Sequence, residues 1–462
     1  KKKMTDQSTI CALATPAGTG ALAIIRLSGE KAWVITEKIF KPQGRPFAPA
    51  PNSISYGTIY DEDLIIDEVL ASFFKAPYSY SGEDIVEFSC HGSPYIQQQI
   101  LQLLIKNGAR LAQPGEFTLR AFLNNKMDLS QAEAVADLIA SNSKVSHEIA
   151  INQIRGGYSK KMEQLRSELL KFTSLIELEL DFSEENVEFA KRTELLDLLN
   201  ALDREISILT DSFSVGNALK NGIPVAIIGK PNVGKSTLLN ILLNEDKAIV
   251  SEIPGTTRDA IEDTINIKGI SFRFIDTAGL RESTEKIEAI GIQRTYEKIK
   301  QAKIILYLFD ISNTSLDEIS NTIHDFQEHI EGTDKKLIII ANMIDKLIEM
   351  PKSFKELLKY ETIYISAKRR ENIQMIINSL LKNVEHENAT EGTIVTNARH
   401  FEALNNARAA LIRVKNGISE KIPADLCAQD LREALYHIGS ITGTVTNNEI
   451  LESIFKNFCI GK

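Results

Sequence analysis

A chain of 462 residues, 43% hydrophobic and 25% charged, has ordinary globular composition but is too long for one hydrophobic core, so two to four domains are expected. A formal net charge of -9 argues against indiscriminate binding to phosphate backbones, which excess Lys and Arg would drive, so any nucleic-acid contact must come from a local patch or a partner. Apolar runs such as Ile304–Phe309 and Leu337–Ala341 fall far short of the roughly 20 residues a membrane-spanning helix needs, and no membrane contact is expected.

Lys1, Lys2 and Lys3 before Met4 read as an appended remnant rather than a targeting segment, and no secretory signal opens the chain. The four cysteines, Cys11, Cys90, Cys427 and Cys459, lack metal-ligand spacing, as expected of a cytoplasmic protein. From Ile10 to about Gly115, β-rich stretches such as Ala21–Arg26 and Ile85–Ser89 alternate with helical runs and Gly/Pro turns, predicting an α+β domain. From Glu116 to Phe213, Leu165, Leu169, Phe172, Leu175, Ile176 and Leu180 recur at three- and four-residue steps and predict amphipathic helices. Between Asn221 and Asn383, strand-like Pro224–Ile228, Phe272–Ile275, Ile304–Leu308 and Leu337–Ala341 alternate with helical segments, the pattern of a parallel α/β sheet. The helical pattern resumes after about Glu385. The expected layout is therefore multidomain: an α+β domain over residues 4–122, a helical domain begun by 123–217 and completed by 385–462, and an α/β domain, 218–384, inserted in it.

Gly229-Lys230-Pro231-Asn232-Val233-Gly234-Lys235-Ser236 follows an apolar strand and precedes a helical run, the context that makes GxxxxGK[ST] a phosphate loop. Its backbone N–H groups can close around phosphate oxygens at a helix N-terminus. Lys235 is expected to reach the β and γ phosphates, Ser236 to bind Mg²⁺, and Thr237 to complete the nucleotide contact. Asp276-Thr277-Ala278-Gly279 begins 41 residues after Lys235 at a strand end, placing a carboxylate near the Mg²⁺ shell and a glycine N–H near the γ phosphate. Thr256 and Thr257 lie between these motifs, where a hydroxyl can complete the metal shell. Asn342-Met343-Ile344-Asp345 ends another strand; its terminal carboxylate can accept two donors that guanine presents and adenine does not. Ser366-Ala367-Lys368 supplies a last base contact. Each later motif is weak alone, but their order and strand-end placement specify GTP.

The set resembles the translation-factor-like branch of P-loop GTPases, with two departures. Met343 stands where that branch carries Lys, keeping an aliphatic cover for the guanine face but losing an ammonium. Leu280 stands where Ras-like enzymes carry the water-positioning Gln. A closer resemblance lies in Gly255-Thr-Thr-Arg-Asp259, Asp276-Thr-Ala-Gly-Leu-Arg281 and terminal Phe458-Cys-Ile-Gly-Lys462. Ala23–Arg26, Ser81–Asp84, Cys90-His91-Gly92, Pro114–Phe117 and Asn125–Glu133 extend it. These motifs resemble the MnmE (TrmE) family of tRNA-uridine-modifying GTPases from about Thr9 to Lys462. Gly-Thr-Thr-Arg is shared with the Era and Der switches of ribosome assembly. The single phosphate loop and the Cys-Ile-Gly-Lys end point instead to the MnmE type.

By that resemblance, the N-terminal domain binds a reduced folate (5-formyl- or methylene-tetrahydrofolate) through Arg26, Glu87, Lys126 and Lys462 and forms a homodimer. With MnmG, an FAD-binding partner, in a heterotetramer or larger complex, the protein is expected to modify C5 of the wobble uridine of certain tRNAs. The family's water-orienting glutamate falls on Glu288, twelve positions after Asp276. Mg²⁺ falls to Ser236 and Thr257. K⁺, which accompanies G-domain dimerisation, falls to Asn232, Ser251, Ile253 and Thr256, within a nucleotide-contacting loop Ser251-Glu252-Ile253-Pro254-Gly255-Thr256-Thr257. A monovalent cation there takes the place of an arginine finger, with Arg258 and Arg281 as rival charges. Cys459 reads either as a nucleophile or as a small apolar residue, and His91 either as a general base or as a turn residue beside Gly92.

Overall fold

The computed structural model describes residues 8–44, 46–181, 192–247, 263–275, 288–347, 360–385, 393–420, 422, 424–456 and 458–462. The chain divides into two compact units: Lys1–Ile139 with Asn152–Arg204 and Ala403–Lys462, and Ala140–Ile151 with Glu205–Glu402.

Among the described residues of the first unit, seven strands make one sheet: β1 (Ile10–Leu13), β2 (Leu22–Ser28), β3 (Phe40–Pro42), β4 (Ser53–Asp61), β5 (Leu64–Phe74), β6 (Ile85–His91) and β7 (Arg110–Leu111). Their order is β3-β4-β5-β6-β2-β1-β7, antiparallel throughout except for β1 with β7. Period-two alternation gives the sheet two faces. Val69, Ala71 and Phe73 of β5, with Phe88 and Cys90 of β6, enter a core closed by Ile35, Ile39, Ile100, Leu103 and Leu104 of the helices Ala32–Ile39 and Pro94–Lys106. The intervening residues Leu22, Ile24 and Arg26 of β2 and Glu87, Ser89 and His91 of β6 share the other face, aligned pair by pair across the two strands.

Helices Glu116–Leu123, Leu129–Ala140, Gly157–Asp181, Ala424–Thr442 and Asn448–Phe455 complete this unit, together with parts of Arg192–Asp211 and Ala398–Ser419. In Gly157–Asp181, Leu165, Leu169, Phe172 and Ile176 form one buried stripe, the spacing that a 3.6-residue period requires. That helix packs on Ala424–Thr442, with an exposed Arg432–Glu177 ion pair at 2.7 Å between them. Leu451 and Phe455 then pack on Leu129 and Ala132, and the last residues return to the sheet. Gly461 has φ 98°, and a Cβ there would stand 2.3 Å from the Leu13 carbonyl oxygen, so only glycine lets the tail lie so close to β1.

The second unit carries, among its described residues, six strands: β8 (Ile223–Ile228), β9 (Asp263–Ile267), β10 (Ile270–Phe274), β11 (Ile304–Asp310), β12 (Lys336–Asn342) and β13 (Thr362–Tyr364). The order is β13-β12-β11-β8-β10-β9, parallel apart from the β9–β10 pair. Val225 and Ile227 enter one core with Leu238, Leu242 and Leu380, while Ala226 and Ile228 enter a second with Ile299, Ile319 and Ile323. Burial on both faces explains the unbroken apolar runs, and every residue of β11 is buried. Helices Lys235–Lys247, Glu288–Gln301, Leu316–Ile330 and Ile373–Glu385 belong to this unit. Val145 and Ile149 also pack on the first of these cores, and the Val145 N–H donates to the Gly269 carbonyl at 3.2 Å. From β8 the chain first builds β10 on one side and then β11 on the other, so β8 ends at a topological switch point, where α/β sheets bind ligands. No helix among the described residues is long and apolar enough to cross a membrane.

The fully buried Phe172 anchors the helical stripe, so Phe172→Ala should lower the stability of the first unit by about 3–5 kcal/mol. Urea unfolding followed by the fluorescence of Trp33, the single tryptophan, checks this. A midpoint within error of the parent would show that the stripe does not hold the unit together.

Candidate functional site

The loop Gly229–Gly234 leaves the end of β8 and turns into the helix Lys235–Lys247. Sterics fix its composition. A Cβ on Gly229 would lie 2.0 Å from the Leu308 carbonyl oxygen, and one on Gly234, whose φ is 99°, would lie 2.4 Å from Asn342 Nδ2. Asn232 takes a left-handed conformation at φ 62°. Lys235 Nζ donates to the carbonyls of Gly229 and Lys230 at 2.7 and 2.5 Å, lying back along the loop. Burial, and then the charge of Lys298, lower its pKa to about 8. Ser236 and Thr237 follow in the first turn with exposed side chains.

Asn342, at the end of β12, is buried and acts as a brace. Its Nδ2 donates to the Val233 carbonyl of the phosphate loop at 2.8 Å, and its Oδ1 accepts from the Ala367 N–H at 3.0 Å. Ile344 N–H donates to the Ile365 carbonyl at 3.2 Å, holding the two segments side by side. Ser366 Oγ donates to Asp345 Oδ1 at 2.6 Å, and that bond holds the Asp345 carboxyl below the usual carboxylate range. Met343 sits at φ 68° between the brace and a short 3₁₀ turn, Ile344–Lys346. Lys368 is exposed beyond Ala367. The structure thus gathers Val233, Gly234, Asn342, Ile344, Asp345, Ser366 and Ala367 at the strand ends beside the switch point. Glu288 opens the helix Glu288–Gln301. The expected contacts Ser251, Glu252, Ile253, Pro254, Gly255, Thr256, Thr257, Asp276, Thr277, Ala278 and Gly279, with Leu280, Arg258 and Arg281, lie outside the described residues.

A second cluster lies in the first unit. Arg26 Nε donates to Glu87 Oε1 at 2.7 Å, directly across from it in the β2–β6 register. Arg26 Nη1 reaches the Gly461 carbonyl at 3.4 Å, next to Lys462. The guanidinium also lies 5.2 and 5.5 Å from the ring centres of Tyr80 and Phe117. The Lys462 ammonium is pushed below the usual lysine value, first by burial and then by Arg26, against the opposing pull of Glu87. Arg26, Glu87 and Lys462 therefore form one electrostatic group built from opposite ends of the chain. Lys126 is engaged elsewhere, donating to the Pro77 carbonyl at 2.9 Å. Tyr80 and Phe117 were absent from the expected set, and no local spacing marks them, because only the fold brings them to Arg26.

A parallel α/β sheet with a glycine-bounded phosphate loop at its switch strand defines a P-loop nucleotide-binding protein. Family models match most of the chain: "MnmE helical domain" over residues 129–459 and "GTP-binding protein TrmE N-terminus" over residues 9–126. A Bacteroides thetaiotaomicron protein named tRNA modification GTPase MnmE is 53% identical over 470 residues, covering 99% of this chain and 100% of that one. Proteins of the same name from Cytophaga hutchinsonii and Flavobacterium psychrophilum are 50% and 51% identical, covering 98% and 99% of this chain and 98% and 100% of their own lengths. The chain belongs to the MnmE (TrmE) family.

Lys235 carries a pH signature. A phosphate brought against its ammonium favours the charged form, so binding above about pH 8 takes up a proton and weakens as pH rises. Affinity for inorganic sulfate, whose charge stays constant over this range, should be about tenfold lower at pH 9 than at pH 7. Calorimetric titration checks it, and a flat profile would remove Lys235 from the phosphate contact.

Proposed function

We propose that this chain hydrolyses GTP in the service of tRNA modification. The observation that carries the reading is the Asn342 brace, which ties the phosphate loop to the segments bearing Asp345 and Ser366. One ligand long enough to span them is a guanine nucleotide, its phosphates at Lys235 and its base at Asp345. Ser236 and Thr257 would hold Mg²⁺, which supplies charge neutralisation at the β and γ phosphates. Asn232, with Ser251, Ile253 and Thr256, would hold K⁺, and Glu288 would orient water.

The same proposal assigns Arg26, Glu87 and Lys462, with Lys126 further out, to a reduced folate that supplies a one-carbon unit. Two cations and a carboxylate in a half-buried setting suit a ligand that offers carboxylates at one end and pterin donors at the other. The chemistry would be completed with the FAD-binding partner MnmG on C5 of the wobble uridine. The same proposal includes a homodimer formed through the α+β domain, residues 4–122. The inserted nucleotide domain would take residues 218–384, and the helical domain 123–217 with 385–462.

Three measurements test the parts separately. Arg26→Ala should weaken reduced-folate binding about tenfold or more, the loss expected of a charge-assisted bond, with GTP turnover nearly intact. Unchanged folate titration would remove this site. Glu288→Ala should keep GTP affinity and lose most phosphate release; turnover within a few-fold of the parent would send the search to Glu282 or Glu285. Hydrolysis should run faster in K⁺ than in Na⁺ at equal ionic strength, with Asn232→Ala abolishing the difference. Equal rates in both salts, with collapse in Arg258→Ala or Arg281→Ala, would replace the cation by an arginine.

A further inference from the structure

Asp67 and His91 form a hydrogen-bonded dyad that the folate and nucleotide sites do not use. His91 ends β6, and its backbone N–H donates to Asp67 Oδ2 at 2.8 Å while its Nδ1 lies 2.7 Å from Asp67 Oδ1. The Glu68 N–H also donates to Oδ1, at 2.9 Å. The Asp67 carboxylate is buried at 7% side-chain exposure, whereas the imidazole is 65% exposed. A carboxylate at Nδ1 selects the tautomer with its proton there, leaving the Nε2 lone pair outward. Nε2 has no hydrogen-bond partner among the described residues.

Register places this imidazole beside the folate cluster. Arg26 pairs with Glu87, Ile24 with Ser89 and Leu22 with His91, so the three pairs alternate along one sheet face. His91 is four residues from Glu87, about 13 Å along the strand, and the floor between them is Ile24 and Ser89, both half-buried. Gly92 keeps the flank low, since a Cβ there would stand 2.3 Å from the Gly20 carbonyl oxygen. The charged and titratable groups near the ring are Asp67 and Glu68 of β5 and Tyr56 of β4, whose hydroxyl bonds Glu68 at 2.5 Å, while Arg26, Glu87 and Lys462 lie at the far end of the same face. The two carboxylates at the His91 end, Asp67 and Glu68, favour a cationic ligand there.

We propose that His91, oriented by Asp67, is the proton acceptor for a primary amine or ammonia that attacks the folate-bound one-carbon unit. The inference rests on the folate reading above. The ammonium gives one proton to Nε2, producing an imidazolium paired with Asp67. A reduced folate bound there would supply the electrophilic one-carbon unit, toward which the freed nitrogen lone pair is the nucleophile. The imidazolium then releases its proton to water.

The test is the rate of uridine modification against pH, with the partner enzyme, reduced folate, GTP and glycine or ammonium supplied, and reduced-folate affinity measured on the same preparations. The parent should lose rate as pH falls, because an imidazole that already holds a proton at Nε2 accepts no other. His91→Gln, at an exposed position, should keep folate affinity while losing on the order of 10²–10⁴ in rate and the acid limb with it. Asp67→Asn should reduce the rate and shift the limb, a change that a purely structural role would not produce. If His91→Gln modifies uridine at the parent's rate with the same pH profile, the inference is overturned and the folate reading stands. If the parent binds no reduced folate, both fall.

Discussion

The nucleotide end of the molecule depends on one buried amide. Asn342 uses Nδ2 on the Val233 carbonyl and Oδ1 on the Ala367 N–H, so one side chain fixes the distance between the phosphate loop and the base-side segments. An amide suits this place because it donates at one atom and accepts at the other, whereas a carboxylate would set a negative charge against the Val233 carbonyl. Buried backbone groups left without partners would each cost about 1–3 kcal/mol. Gly234 follows from the brace, since any side chain there would occupy the position of the Asn342 amide. Asp345 follows too, because Ser366 can reach its carboxylate only while Ala367 is held in place.

The first unit solves a different problem, that of gathering charge from distant parts of the chain. Arg26 and Lys462 repel each other, and both remain near Glu87, which offsets the repulsion. The tail reaches this position through Gly461 and through the packing of Phe455 and Leu451 on Leu129 and Ala132. The helical layer thereby delivers a lysine to a sheet formed hundreds of residues earlier. A cluster with two cations and one anion holds an excess positive charge in a partly desolvated place, which favours an anionic ligand group.

Much of this was legible in the chain itself. The apolar runs of β8, β11 and β12 announced a sheet buried on both faces, and the stripe Leu165, Leu169, Phe172 and Ile176 announced a helix with one buried side. The phosphate loop was legible because its chemistry is contiguous, with glycines, Lys235 and Ser236 in one octapeptide. Asn342 was expected as a nucleotide contact, and the fold gives it in addition a bracing bond to a neighbour 109 residues away, which no local pattern marks. Tyr80 and Phe117 escaped notice for the same reason. The grouping of Ala140–Ile151 with the α/β unit rests on Val145 and Ile149, two apolar residues indistinguishable by local pattern from those of any amphipathic helix.

The most direct test of the account is the affinity of Asn342→Ala for two ligands, GDP and inorganic pyrophosphate, measured by calorimetric titration. If one amide holds both halves of the site, removing it weakens both ligands by about fivefold or more, since the phosphate loop and the base-side segment each lose a partner. Loss of GDP affinity with pyrophosphate binding unchanged would contradict the account and reduce Asn342 to a contact for the base alone.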